Sequence, residues 1–201
     1  MFKSIKENAT AEIIEKKSKF ISNIFYVETK EEAEELIKLV NKKYHDARHN
    51  CYAYRIFCKD GIIEKSSDDG EPSGTAGAPM LNILSKNNLA NVLVVVTRYF
   101  GGILLGTGGL VKAYSAACAL GLEKAEIVEK CIAQVYRIEV SYPDIDKFKY
   151  FAKNNNIIIL SEEYLENVTL EIGIKEKDLL EKILQKEINV RNLEFIKEIY
   201  I

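Results

Sequence analysis

Charge of one sign is what this chain lacks most: 28 basic against 30 acidic side chains leave a net charge of −2 over 201 residues. No strong global field draws in nucleic acid, so any RNA binding has to come from a local patch. Long apolar runs are missing as well. None approaches the ~18 residues of a membrane-spanning helix, so no membrane partner is expected. The start of the chain carries Lys3 and Lys6 but no apolar segment of a secretory signal. The four cysteines, at 51, 58, 118 and 131, form no C-x-x-C pair, and three lie in apolar surroundings. They read as reduced core thiols of a cytoplasmic protein, not as a disulfide framework.

Histidine is scarce too. His45 and His49 are the only two, and they flank Arg48 just ahead of Cys51. A zinc site wants four N/S ligands, and three are at hand. A Cys–His nucleophile pair needs Cys51 exposed and acidified. The favoured reading is a polar strand edge in which Arg48 and His49 face a ligand or satisfy a buried carboxylate.

What is present is concentrated in one stretch, from Asn91 to Ala117. An apolar run, Val92 to Val96, leads to Thr97 and Arg98. Five glycines follow within nine residues (Gly101, Gly102, Gly106, Gly108 and Gly109), with Thr107 among them, and then an alanine-rich helical pattern. Strand, glycine loop and helix start is an order that aims unpaired backbone N–H groups and the positive end of a helix dipole at an anion. Arg98 before the loop and Lys112 on the first helical turn would frame the same spot. Two phosphate motifs fail: Gly101-x4-Gly106 is followed by Thr107-Gly108 where a P-loop needs Lys and Ser/Thr, and Val111 stands where a dinucleotide fingerprint needs its third glycine. Anion binding and simple close packing both fit the spacing.

A second polar loop runs from Ser66 to Met80. It holds Asp68, Asp69 and Glu71, the hydroxyls Ser73 and Thr75, and glycines that include Gly74. Asp-Asp-Gly-Glu-Pro is loop, not helix interior. Its carboxylates are candidates for Mg²⁺, or, with His49, for acid–base work, if a phosphate sits nearby. Turn-forming residues on a wet surface explain the same loop.

Around these stretches the pattern predicts strands over Ala11–Glu15 and Phe20–Glu28, joined by a basic cluster, Lys16, Lys17 and Lys19. A helix capped by Thr29 and Glu32 buries Ala33, Leu36, Ile37 and Val40. A strand follows from about Asn50 to Phe57, an Asp60-Gly61 hairpin turn, and a short return strand, Ile62 to Lys65. Helix is expected from Thr75 or Ala76 to about Ser85. After the glycine stretch, Gly121 weakens the end of the helix, and 122–129 is connective. From Cys131 the pattern resets: strand at Tyr136–Val140, a helix opened by Pro143 with Ile145, Phe148 and Ala152 buried, strands at 157–160 and 168–174, a helix stripe of Leu179, Leu180, Ile183 and Leu184, and a last strand with Leu193, Phe195 and Ile199. The order is βαββαβ, the ferredoxin-like arrangement. Residues 1–133 carry net +1 and residues 134–201 net −3.

The segments DDGEPSGTAGAPML and VVVTRYFGGILLGTGGLVKAYSAA, with KKSKFIS and HDARHNCYAY before them, resemble the YigZ/IMPACT family over essentially the whole chain. The resemblance implies an α+β chain in two domains: 1–133, similar to the ribosomal-protein-S5 domain-2-like sandwich, and 134–201, a ferredoxin-like domain similar to the last domain of elongation factor G. Eukaryotic IMPACT proteins regulate translation through a ribosome-associated partner, using an additional N-terminal domain that this chain does not show.

Two functions are carried forward. One is a module that engages RNA or a ribosomal component through phosphate contacts, with no cofactor. The other is a Mg²⁺-dependent enzyme acting on a phosphorylated small molecule or nucleotide. There the glycine loop would hold the phosphate, Lys112 would neutralise charge, and Asp68, Asp69 or Glu71 would hold the metal or act as base. Nothing in the pattern specifies an oligomeric state.

Overall fold

A computed structural model describes residues 2–58, 61–175, 183 and 190–201. The first unit, Phe2–Glu129, contains β1 (Phe2–Ile5), β2 (Ala9–Glu15), β3 (Ser18–Tyr26), α1 (Lys30–Lys43), β4 (His49–Cys58), β5 (Gly61–Ser67), α2 (Gly77–Lys86), β6 (Val92–Tyr99), α3 (Gly106–Lys124) and β7 (Ile127–Lys130). Five strands form an antiparallel sheet in the order β2-β3-β6-β4-β5. The Val92–Val96 run becomes its middle strand. A strand buried on both faces has no reason to alternate, and all five residues are fully covered.

Helices cover both faces of this sheet. Val92, Val94, Val96, Phe20, Ile24, Cys51 and Ala53 pack on one side with α2 and α3, through Met80, Leu84, Tyr114 and Cys118. Leu93, Val95, Tyr54 and Ile56 pack on the other with α1, through Ala33, Ile37 and Val40. The start of α1 carries the expected reciprocal cap. Glu32 N–H donates to Thr29 Oγ1 at 3.1 Å, and Glu32 Oε2 accepts from the Glu28 amide at 2.9 Å. At the far end of α2, Arg55 donates to the Leu89 and Leu84 carbonyls while paired with Glu64.

Three expectations are corrected. Gly121 does not weaken the end of a helix. It lies inside α3, where a Cβ would meet Ser22 Oγ at 2.5 Å and the Ile24 side chain at 2.8 Å. The glycine lets the helix lie close against β3. The stretch 122–129 is not merely connective: α3 runs to Lys124, and β7 pairs with β1 in a small separate sheet. Both strands are four residues long, too short for alternation to be read. Finally, Gly106, Gly108 and Gly109 are not loop. They are the first turn of α3. Asp60 of the expected hairpin turn lies outside the described residues, while its neighbours pair as a hairpin, Cys58 opposite Gly61.

The second unit, Lys130–Ile201, contains β8 (Ile132–Val140), α4 (Ile145–Asn154), β9 (Ile158–Tyr164), β10 (Val168–Ile174) and β11 (Val190–Tyr200). Its antiparallel sheet has the order β11-β8-β10-β9, the ferredoxin-like arrangement. Because β8 starts at Ile132, a boundary after residue 133 falls within that strand. Pro143 sits in a short 3-10 turn, Tyr142–Asp144, just ahead of α4. Phe148, Phe151 and Ala152 of α4 pack with Ile138, Val140, Leu170, Ile172 and Ile183. Of the expected stripe at 179–184, only Ile183 is among the described residues.

Candidate anion-binding site at the start of α3

The chain leaves β6 at Tyr99, passes Gly101 and Gly102, and enters α3 at Gly106. Gly101 is pressed on the turn between β2 and β3. A Cβ there would lie 2.0 Å from the Lys17 carbonyl carbon, and the Gly101 amide donates to Ser18 Oγ at 3.2 Å. Gly106 takes φ +70°, a left-handed backbone that lets the chain swing into the helix. Gly108 is different. It has no such φ, and a Cβ there would touch nothing within 4 Å. Neither packing nor conformation accounts for a glycine at that position.

No side chain caps α3. The amides of Gly106, Thr107 and Gly108 precede the first intrahelical bond of α3, and among the described residues no side chain accepts from them. A cleft of about 480 Å³ opens beside them. Ile13 and Leu105 line it, with Lys16, Lys112, Glu15 and the Gly108–Gly109 backbone. Lys16 and Lys112 are exposed and have no carboxylate partner among the described residues. Thr107 is exposed on the same first turn.

Arg98 does not belong to this surface, contrary to expectation. Its side chain faces inward from β6 and is buried. Its Nη1 donates to Glu71 Oε1 at 2.7 Å, and both side chains are more than nine-tenths covered. The guanidinium lies over the rings of Phe20 and Phe100, at 5.5 and 5.6 Å. Glu71 also accepts the Tyr114 hydroxyl at 2.8 Å. The Cys51 thiol lies 3.3 Å from that hydroxyl and 2.9 Å from the Asp68 carbonyl. Thiol, phenol, carboxylate and guanidinium thus form one buried chain linking β4, α3, the acidic loop and β6. Burial, reinforced by the nearby carboxylates, pushes the Cys51 thiol up to about 12 and raises the Tyr114 phenol further. Cys51 is fully buried with its thiol bonded on two sides, unlike the exposed, acidified thiol a Cys–His pair needs.

The acidic loop joins the same network, and its carboxylates are spent on the protein. Asp68 accepts backbone N–H groups from Gly74, Ala76 and Gly77 at 2.8–2.9 Å, and so caps α2 from a distance. Desolvation pushes its carboxyl up, but the three amides outweigh it and hold the group below its ordinary value. Asp69 accepts the Asn50 amide at 2.7 Å. Glu71 is committed to Arg98 and Tyr114. None of the three lines the cleft, and the described residues contain no cluster of three His, Cys, Asp or Glu with metal-ligand geometry. Asp68 and Glu71 thus serve donors of the protein, and Asp69, exposed, accepts from the Asn50 backbone. Thr75 is buried, its hydroxyl donating to the Pro72 carbonyl, while Ser73 and Gly74 are exposed at the loop surface.

His49 Nδ1 lies 2.7 Å from the Asp69 carbonyl, which can only accept, so this nitrogen carries the proton. The ring fastens the loop instead of serving Cys51. Arg48 and His45 are exposed. The His49–Cys51 strand start, the acidic loop and the inner face of α3 therefore meet in one network, and the cleft with Lys16 and Lys112 is separate from it. Tyr114 is the member of the network that no motif in the sequence marks. Its signal was a phenol on an alanine-rich buried face, where the hydroxyl needs a partner.

Residues 16–122 match the family described as the Impact N-terminal domain, and residues 138–181 match a domain of unknown function, DUF1949. Relatives include "IMPACT family member YvyE" of Bacillus subtilis (strain 168), 40% identical over 175 residues that cover 87% of this chain and 80% of that one. "IMPACT family member YigZ" of Escherichia coli (strain K12) is 34% identical over 160 residues, 79% of this chain and 78% of that one. A solved structure described as a crystal structure of a hypothetical protein superposes with a TM-score of 0.64 at 30% identity, over 98% of this chain and 97% of its own. No helix among the described residues is long and apolar enough to cross a membrane. Two matched domains in this order, and relatives aligned over most of the chain, make it a member of the IMPACT family.

Proposed function

We propose that this protein is a cytoplasmic, translation-associated regulatory or binding protein that engages RNA or a ribosomal component through phosphate contacts at the start of α3. The observation that carries the reading is the pairing of the three leading amides of α3 with two lysines, Lys16 and Lys112, that have no ion-pair partner among the described residues, around one cleft whose one acidic lining residue is Glu15. Open amides and a helix dipole favour an anion, and Lys16 and Lys112 supply mobile positive charge beside them. Gly108 supports the same reading, since a helical glycine costs roughly 1 kcal/mol relative to alanine and packs against nothing here. Close approach of a ligand to the backbone is what it would permit. Family membership and the resemblance to IMPACT regulators of translation support the cellular context.

Phosphate binding makes a quantitative demand. Each neutralised phosphate contributes about −0.7 to −0.9 to the slope of log affinity against log salt. With two lysines the expected slope is about −1.4 to −1.8. Co-sedimentation with ribosomes and titration of structured RNA across a salt series test this. Lys112→Ala and Lys16→Ala should each flatten the slope by about one phosphate's share. Binding that ignores salt, or that both substitutions leave unchanged, would count against the reading.

A further inference from the structure

Phe100 stands half-exposed at the end of β6, six residues ahead of α3. An exposed phenylalanine at a loop mouth is commonly mobile, but this one is backed. The Arg98 guanidinium lies over its ring at 5.6 Å and over the Phe20 ring at 5.5 Å. Glu71 and, through it, Tyr114 hold that guanidinium in place. A buried cation thus supports the ring from within. Next to it, Gly101 sits directly on the Lys17 backbone, which ties the Lys16–Lys17 turn to the same corner of the fold. The loop also exposes Ile103 and Leu104.

We propose that Phe100 is a stacking platform for an unpaired base, so that the ligand is single-stranded RNA or a looped-out segment, not a duplex. The proposal rests on the phosphate-binding reading above. A half-exposed aromatic ring one residue from the point where the chain packs on the Lys16–Lys17 turn matches the alternation of bases and phosphates along a single strand. Duplex bases are stacked on one another and offer no free face. Ile103 and Leu104 alone would suit an apolar protein surface. The exposed Lys16 and Lys17 of the adjoining turn favour a polyanion.

The test compares wild type, Phe100→Ala, Phe100→Trp and Lys112→Ala, each checked for matching circular dichroism and melting temperature. The probes are a labelled unstructured RNA oligonucleotide, an RNA duplex of equal length and inorganic polyphosphate. Phe100→Ala should weaken single-strand binding by about 5- to 150-fold, the range of one lost base–aromatic stack, and leave polyphosphate binding nearly unchanged. Phe100→Trp should bind as well as wild type or better. Lys112→Ala should weaken all probes. The stacking proposal falls if Phe100→Ala binds the single strand like wild type while Lys112→Ala does not. It falls equally if Trp is as weak as Ala, if the duplex binds as tightly as the single strand, or if an acidic apolar peptide is preferred to every RNA. Failure of every polyanion to bind, even at low salt, would instead remove the phosphate reading on which it rests.

Discussion

Arg98 and Lys112 stand on either side of the glycine stretch and carry the same charge, yet the fold uses them in opposite ways. Arg98 is turned inward and neutralised by Glu71 at 2.7 Å; Lys112 stays exposed at the cleft. Removing one member of a buried pair leaves the other charge uncompensated, and such changes cost about 3–5 kcal/mol. Glu71→Ala should therefore destabilise the first unit by about that amount, measured by urea unfolding at neutral pH. Glu71→Gln, which keeps an acceptor for Tyr114, should cost less. A loss below about 1 kcal/mol for the alanine variant would mean that the pair does not hold the acidic loop. At this scale the sequence identified the polar residues well and their roles poorly. The acids looked available for metal, and each is engaged by donors of the protein.

At the scale of elements, the glycines of one stretch separate into different tasks. Gly101 is required by contact with the β2–β3 turn, and Gly108 by nothing within the protein. Gly101→Ala should lower the melting temperature by forcing the Lys16–Lys17 turn away. Gly108→Ala should raise stability by about 0.5–1 kcal/mol, because it removes a helical glycine. The same substitution should weaken polyanion binding if the backbone there is approached closely. Thermal melts read the first two effects, and a titration with polyphosphate reads the third. Elements with strong local signals were legible: the Thr29 cap, the Val92–Val96 strand, the alternation in β8 and β10. The short β1 and β7 were not, because four residues carry too little pattern. The start of α3 was misplaced because glycine suggests loop, whereas here the helix continues through it under tertiary packing.

At the scale of the whole molecule, two cores are built separately, each from residues of its own unit. A fragment of residues 1–130, which retains the β1–β7 pair, should fold alone and give a dispersed amide proton–nitrogen spectrum. A collapsed spectrum would show that the first core depends on the second unit. The two-unit, mixed α/β architecture was visible in the change of pattern near Cys131 and in the family resemblance.

Which segments become strands and helices was determined by the sequence itself, because the alternation of apolar residues and the capping side chains act over a few neighbouring positions. Which charges remain free was decided only by the tertiary structure. Arg98 meets Glu71 across 27 residues, Tyr114 meets the same carboxylate across 43, and Cys51 meets Tyr114 across 63. No local pattern encodes those pairings. They exist because the sheet brings β4, β6, α3 and the acidic loop to one buried point, where charged and hydroxyl groups pair with one another, and they leave Lys16 and Lys112 exposed at the cleft beside α3.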